Sequence, residues 1–240
     1  MQSPWKFRQR GESGLWISDL FPEVASMADD LTLIRSMQCD QPVHPGAMTQ
    51  MHTGTAQFIR PSLGAWTLYG LGTENASLPG FISLSPPSGS ANNYGTAFLP
   101  AIYGGANVGR GGRSSRVARL GSGESVPDIK PSSDKQKQRA QLDYIQKLNR
   151  NVLAKEDYQP AVEGIIESYE LAFRMQDVMP EMMDISKETP AILAMYGADA
   201  GPSQTFGQQC LLARRFAEAG VRFIEVTHGN WDQHTNLTVD

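Results

Sequence analysis

The stretch HGNWDQHTNL, residues 228–237, places His228, Asp232, His234 and Asn236 directly behind the apolar run VRFIEVT (221–227). A carboxylate and an imidazole two residues apart can share one hard-to-borderline divalent cation such as Zn or Mn, because ionised carboxylate and neutral imidazole coexist near pH 7. Two or three such donors fall short of the four or so that a closed site needs, so these residues point to part of a constellation. The plainer alternative is a polar loop with a surface histidine pair.

A second group follows the apolar run LTLIRSM (31–37): Asp40, His44, Thr49, His52 and Thr53, with a helix opening at Pro45. The unpaired N–H groups and positive partial charge of a helix start suit a phosphate, sulfate or carboxylate. The alternative is that Asp40 and His44 cap the turn while Thr49 and His52 lie on the helix surface. Arg110, Arg113, Arg116 and Arg119 recur every three residues in a glycine-rich stretch without an intervening acid. They suit either a grip on an anionic polymer or a solvated loop. YGLGTEN (69–75) contains neither G-x-G-x-x-G nor a Walker lysine, so nucleotide binding by those routes has no support.

The bulk numbers narrow the partners. The chain has 240 residues, 40% hydrophobic and 19% charged, with a net charge of -4, and so offers no general basic field for nucleic acid. Cys39 and Cys210 both sit among apolar neighbours and read as core filler. No apolar run is long enough to span a bilayer, and the first 25 residues lack the apolar centre of a signal peptide.

The elements that must position these groups are expected as follows. SDLFPEVASMADD reads as a short helix capped by Ser18, with Leu20, Val24 and Met27 on its inner face. LTLIRSM reads as a strand and HPGAMTQMHTG (44–54) as a helix ending at Gly54. Residues 55–130 form a loop-rich insertion with one strand, GFISLS (80–85). A helical hairpin spans 134–182, its first helix striped by Leu142, Ile145, Leu148 and Leu153. In 206–240 a helix with Phe206, Cys210, Ala213 and Ala217 on one face ends at Gly220, ahead of a strand at 221–227 and the candidate metal loop. That strand is apolar enough for a central parallel position. The order strand-helix, then helix-strand, predicts a single α/β domain with a doubly wound, mostly parallel sheet, whose ligands bind beyond the carboxyl ends of the strands.

The segments SGLWISDLFPEVA, LTLIRSMQCDQPVHPGAMTQMHTG, RPSLGAWTLYGLGTENASLPGFISLS and FGQQCLLARRFAEAGVRFIEVTHGNWDQHTN together resemble the bacterial family called domain of unknown function 1501. That family looks like a branch of the alkaline phosphatase and sulfatase superfamily. The resemblance implies a metal-dependent hydrolase of phosphate or sulfate esters, using Zn, Mn or Ca, with an anionic ester as substrate and an exported parent protein. Laid over the chain, the sulfatase pattern C-x-P-S-R-x-x-x-x-T-G ends on Thr53 and Gly54 and sets His44 at the nucleophile's position, with Thr49 offering a hydroxyl. Asp232 and His234 resemble the superfamily's aspartate-histidine metal pair, and Asn236 takes the fourth-residue position of its usual D-x-x-x-H spacing. Relatives of this kind carry a G-G-x-S-x-x-D segment before the matched region and a G-R-D-H-like segment after it. The resemblance therefore implies that the chain is the middle of a longer protein, carries half of the metal site and is inactive alone. The nucleophile is missing at its aligned position, and this loss supports the alternative of a non-catalytic member that holds anionic polymers such as sulfated glycans.

Overall fold

The computed structural model describes residues 3–86, 91–109, 134–154, 159–199, 201 and 204–229, and these fall into two compact units, residues 3–39 and residues 40–229. In the first unit, β1 (Phe7–Arg10) and β2 (Leu15–Ser18) pair antiparallel, Phe7 opposite Ser18 and Arg10 opposite Leu15. The Asp29 carboxylate accepts the backbone N–H groups of Ser13 (2.8 Å) and Glu12 (3.0 Å), which fixes the hairpin turn and holds that carboxyl below its usual range. Helix α1 is only Pro22–Ser26, and the small core is built from Ile17, Ala25 and Ala28.

Two expectations for this unit need correction. Ser18 ends β2 instead of capping a helix, and Leu20, Val24 and Met27 are exposed while the alanines turn inward. Pro22 opens the helix three residues later than expected, and this resets the phase of its faces. Residues 31–37 form no strand, and Leu33, Ile34 and Met37 are 53%, 64% and 64% exposed. An apolar run becomes a strand only beside a partner that takes up its N–H and C=O groups, and among the described residues this one has none.

The second unit is α/β with a parallel sheet, as expected. Its three strands stand in the order β4 (Ala106–Val108), β3 (Phe81–Leu84), β5 (Phe223–Val226), with Ile82 aligned to both Ala106 and Ile224. The central place belongs to the fully buried β3, and β5, expected there, is a half-buried edge strand among the described residues. Alternation along β3 sends Ile82 and Leu84 to one face, where Val108, Met179, Met183, Leu212 and Phe216 close around them. Phe81 points to the other face, against Leu68, Tyr94 and Phe223.

Helices cover both faces. On the Phe81 side lie α2 (His44–Thr53), which ends at Gly54 with φ 76° as its sequence required, and α3 (Leu63–Leu71). The latter was not foreseen in the loop-rich region, although Ser62 caps it by accepting the Ala65 N–H at 3.3 Å. On the other side lie α5 (Pro160–Met183) and α7 (Gln204–Glu218), with α4 (Lys135–Leu153) antiparallel to α5 and the short α6 (Pro190–Met195) between α5 and α7 in sequence.

The hairpin seam is polar. Arg139 forks onto Glu170 with two bonds of 2.8 Å, and Gln146, fully buried, donates to the Ile166 carbonyl at 2.9 Å. Ile145 and Leu148, expected on the packed stripe, are exposed instead. On α7 the buried residues are Gly207, Gln209, Leu211, Leu212 and Phe216, whereas Phe206 is 37% exposed. This face is rotated from the one read off the sequence, because bulk at Leu211, Leu212 and Phe216 outweighs the small residues Cys210, Ala213 and Ala217. The helix ends in a Schellman turn: Gly220, at φ 86°, bonds to Ala217, and Val221 bonds to Phe216, both at 3.0 Å. Burial pushes the half-buried Cys210 thiol up, and Cys39, read as core filler, is exposed.

Candidate functional site

The parallel strands end side by side at Leu84, Val108 and Val226. Ladder bonds run one residue further, from Ser85 N–H to Val108 C=O (2.7 Å) and from Thr227 N–H to Leu84 C=O (3.2 Å). Beyond them Ser85 and Gly109 turn away with φ 53° and 85°. For Ser85, a non-glycine residue, this left-handed conformation costs about 1 kcal/mol and must be held by its surroundings. Gln209 of α7 holds it, donating Nε2–H to Ser85 Oγ at 2.8 Å. Earlier in the same helix Phe206 meets the His228 ring edge to face, with centroids 4.7 Å apart. The N-terminal half of α7 therefore lies at the carboxyl edge of the sheet, from which the loop beginning at Thr227 departs.

A second polar group forms where α2 crosses β5. His52 Nε2 lies 2.9 Å from Glu225 Oε2, and His52 Nδ1 lies 2.7 Å from the Met48 carbonyl. A carboxylate oxygen and a carbonyl thus face the two ring nitrogens, an arrangement that favours the doubly protonated imidazole. The bond to Glu225 accordingly raises the His52 pKa despite partial burial. Tyr94 and Ser83 donate their hydroxyls to Glu225 Oε1 at 3.3 and 3.4 Å. Burial, followed by the charge of Glu225, pushes the Tyr94 hydroxyl up to about 12. One carboxylate thus collects three donors from α2, β3 and the turn Ala91–Tyr94.

The residues singled out in α2 take separate places. His44 is its exposed first residue, roughly 12 Å along the helix axis from His52 at 1.5 Å per residue. Thr49 has a single hydroxyl proton to share between the Pro45 carbonyl and Asn93 Oδ1, both at 3.0 Å, and Asn93 is buried. Thr53 turns its hydroxyl back onto the carbonyls of Thr49 (2.8 Å) and Thr55 (2.7 Å). Asp40 and Gln50 bond reciprocally, backbone N–H to Oε1 at 3.1 Å and Nε2–H to carboxylate at 3.0 Å.

Glu225, Tyr94, Ser83 and Asn93 were not singled out from the sequence. A signal for Glu225 existed: an acid in the middle of FIEV, a run read as buried, requires a partner. Asp232, His234 and Asn236, and likewise Arg110, Arg113, Arg116 and Arg119, lie outside the described residues. Among the described residues no three His, Cys, Asp or Glu side chains gather as a metal site, and no helix is long and apolar enough to cross a membrane.

The His52 pair carries a pH prediction. Its folded pKa is raised above 6.5, so its contribution to stability is complete below that value and is lost as pH rises through the folded pKa. Partial exposure limits that contribution to about 1 kcal/mol. Thermal unfolding followed from pH 6 to pH 9 is expected to show a steeper loss of Tm for the native chain than for His52→Gln, which keeps an N–H donor but cannot titrate. Parallel curves would show that His52 holds no extra proton in the folded state.

No curated protein and no solved structure matches the chain. The model of the family described as Protein of unknown function (DUF1501) matches residues 1–240, and the chain belongs to that family.

Proposed function

We propose that this chain contributes to a metal-dependent hydrolase of phosphate or sulfate esters, on a doubly wound sheet of the alkaline phosphatase and sulfatase kind. One observation carries the reading: β5 ends on the carboxyl edge of a parallel sheet, and Asp232, His234 and Asn236 follow it within ten residues in the sequence. The donor set of carboxylate oxygen, imidazole nitrogen and amide oxygen suits a borderline divalent cation, Zn, Mn or Ca, but supplies three donors of the four or more required. A cation bound there would neutralise the ester oxyanion. The chain's own part is positional. The N-terminal half of α7 sits at the same edge, where a helix start favours an anion, and Gln209 holds Ser85 facing that edge. His44, at the start of α2, is the exposed imidazole for an anionic substrate, and Thr49 can supply a hydroxyl only by leaving Pro45 and Asn93.

That last point favours a second reading. Thr49, His52 and Thr53 are all committed to the protein itself, which suits a member that holds anionic polymers such as sulfated glycans without cleaving them. Metal content of the full-length protein that carries this chain, and its release of p-nitrophenol from the phosphate and sulfate esters, separate the two. The hydrolase reading expects stoichiometric metal, turnover abolished by chelator, and at least about a hundredfold weaker metal binding in Asp232→Ala/His234→Ala. Retention on heparin that weakens with salt, with neither metal nor turnover, would replace it by the binding reading.

A further inference from the structure

We infer that the exposed face of the α4–α5 hairpin is an interface for a second copy of this chain, the two hairpins closing into a four-helix bundle about a two-fold axis that runs along them. On α4 the positions Gln138, Gln141, Ile145, Leu148 and Val152 follow at steps of three and four residues, and on α5 so do Ile165, Tyr169, Ala172 and Gln176. That spacing makes the seam by which helices pack side by side in bundles. Within the hairpin these seams are unused. Ile145, Leu148, Val152, Ile165 and Tyr169 are 41–48% exposed, and an open groove of about 250 Å³ runs between the helices from Gln138 and Gln176 to Ile145 and Tyr169.

Three observations commit the face to a copy of itself. None of the named positions is charged, and Arg139, Asp143 and Glu170 bond to one another away from the seam, so two identical faces meet without like-charge repulsion. Its order is self-complementary. Lys135 bonds Asp177, Arg139 bonds Glu170 and Gln146 bonds the Ile166 carbonyl, so Gln138 stands level with Gln176 and Leu148 with Ile165. A two-fold axis along the hairpin keeps those levels and sets α4 of one copy antiparallel to α5 of the other, amide opposite amide and alkyl opposite alkyl. Gln138 and Gln176 each hold an Oε1 without a hydrogen bond among the described residues, and once turned outward each carboxamide can donate to and accept from the one opposite. The size suffices as well. Over the 19 residues of α4 the two helices present a face about 28 Å long and about 20 Å wide, so a pair buries about 1,100 Å², above the roughly 1,000 Å² that a specific interface needs.

Sedimentation velocity of the full-length protein that carries this chain tests the inference. A dimer is expected at micromolar concentration. Leu148→Glu and Ile165→Lys, both at half-exposed positions that leave the fold intact, are each expected to weaken it at least about tenfold, because each buries unpaired charges in the seam. Mixed in equal amounts, the two variants are expected to form a one-to-one heterodimer at least about tenfold tighter than the dimer of either alone: the new carboxylate faces the new ammonium at one contact, and native Leu148 faces native Ile165 at the other. A native protein that stays monomeric overturns the inference and leaves the face to another segment of the same protein. So does a dimer that both variants leave intact, or a mixture that gains nothing while circular dichroism shows both variants folded. Metal content and ester turnover do not enter this readout, so failure here leaves the hydrolase reading untouched.

Discussion

Phe216→Ala is expected to destabilise the 40–229 unit by about 3–5 kcal/mol, the range for deleting a fully buried aromatic ring. Phe216 is 0% exposed and packs among Leu78, Ile82, Leu84, Val108, Met179 and Leu212. No neighbour is free to fill the space: Leu84 and Val108 are held by the sheet ladder, and Met179 is held by α5. The same residue accepts the Val221 N–H that closes α7, so a cavity here loosens the turn that launches β5. Phe206→Ala is the control. Phe206 is 37% exposed, and its loss is expected to cost under about 1 kcal/mol. Urea unfolding of the two variants decides between the observed face of α7 and the face running through Phe206, Cys210, Ala213 and Ala217; equal losses would mean that the helix is not oriented as described.

That contrast shows how much of the fold was legible. Local chemistry read well: Gly54 and Gly220 stop their helices with positive φ, and the hairpin of α4 and α5 follows from two long helical patterns. The sense of the sheet read well too, since helix-strand order demands parallel crossovers. What failed were statements about partners. Among the described residues, 31–37 have strand composition and no neighbour to pair with, and β5 has the composition of a central strand and an edge position. Ile145 and Leu148 fit the α4 stripe, yet the seam is closed by Arg139, Glu170 and Gln146. Periodicity ranks faces by hydrophobicity, and it cannot see that a guanidinium and a carboxylate on two helices will satisfy each other.

The candidate site was legible in the same uneven way. The α2 helix and its residues were found because a Pro near the start and a Gly at the end mark it in the sequence. Its partners were not, because Glu225 stands 173 residues from His52 and Tyr94 comes from a turn inside a stretch without periodicity. A lone acid in an apolar strand was the available clue, and it points to a satisfied carboxylate as readily as to a catalytic one.

Glu225→Leu separates those meanings. The substitution keeps the size of the side chain and removes the acceptor of three hydrogen bonds, from His52, Tyr94 and Ser83. Each donor left without a partner costs about 1–3 kcal/mol when buried, and the partial exposure of this group brings the total expected loss to about 3 kcal/mol. His52 then loses the bond that raises its pKa, so the pH dependence ascribed to it is expected to vanish in the same variant. A double-mutant cycle with His52→Leu is expected to give a coupling of about 1–2 kcal/mol, most of it lost above the folded pKa of His52. Loss of stability with this coupling makes Glu225 the clamp that ties α2 to β5 and so orients both elements that bear the proposed site. Unchanged stability with loss of metal would instead make the carboxylate a ligand, and His52 would then be the group that holds it in place until a cation arrives.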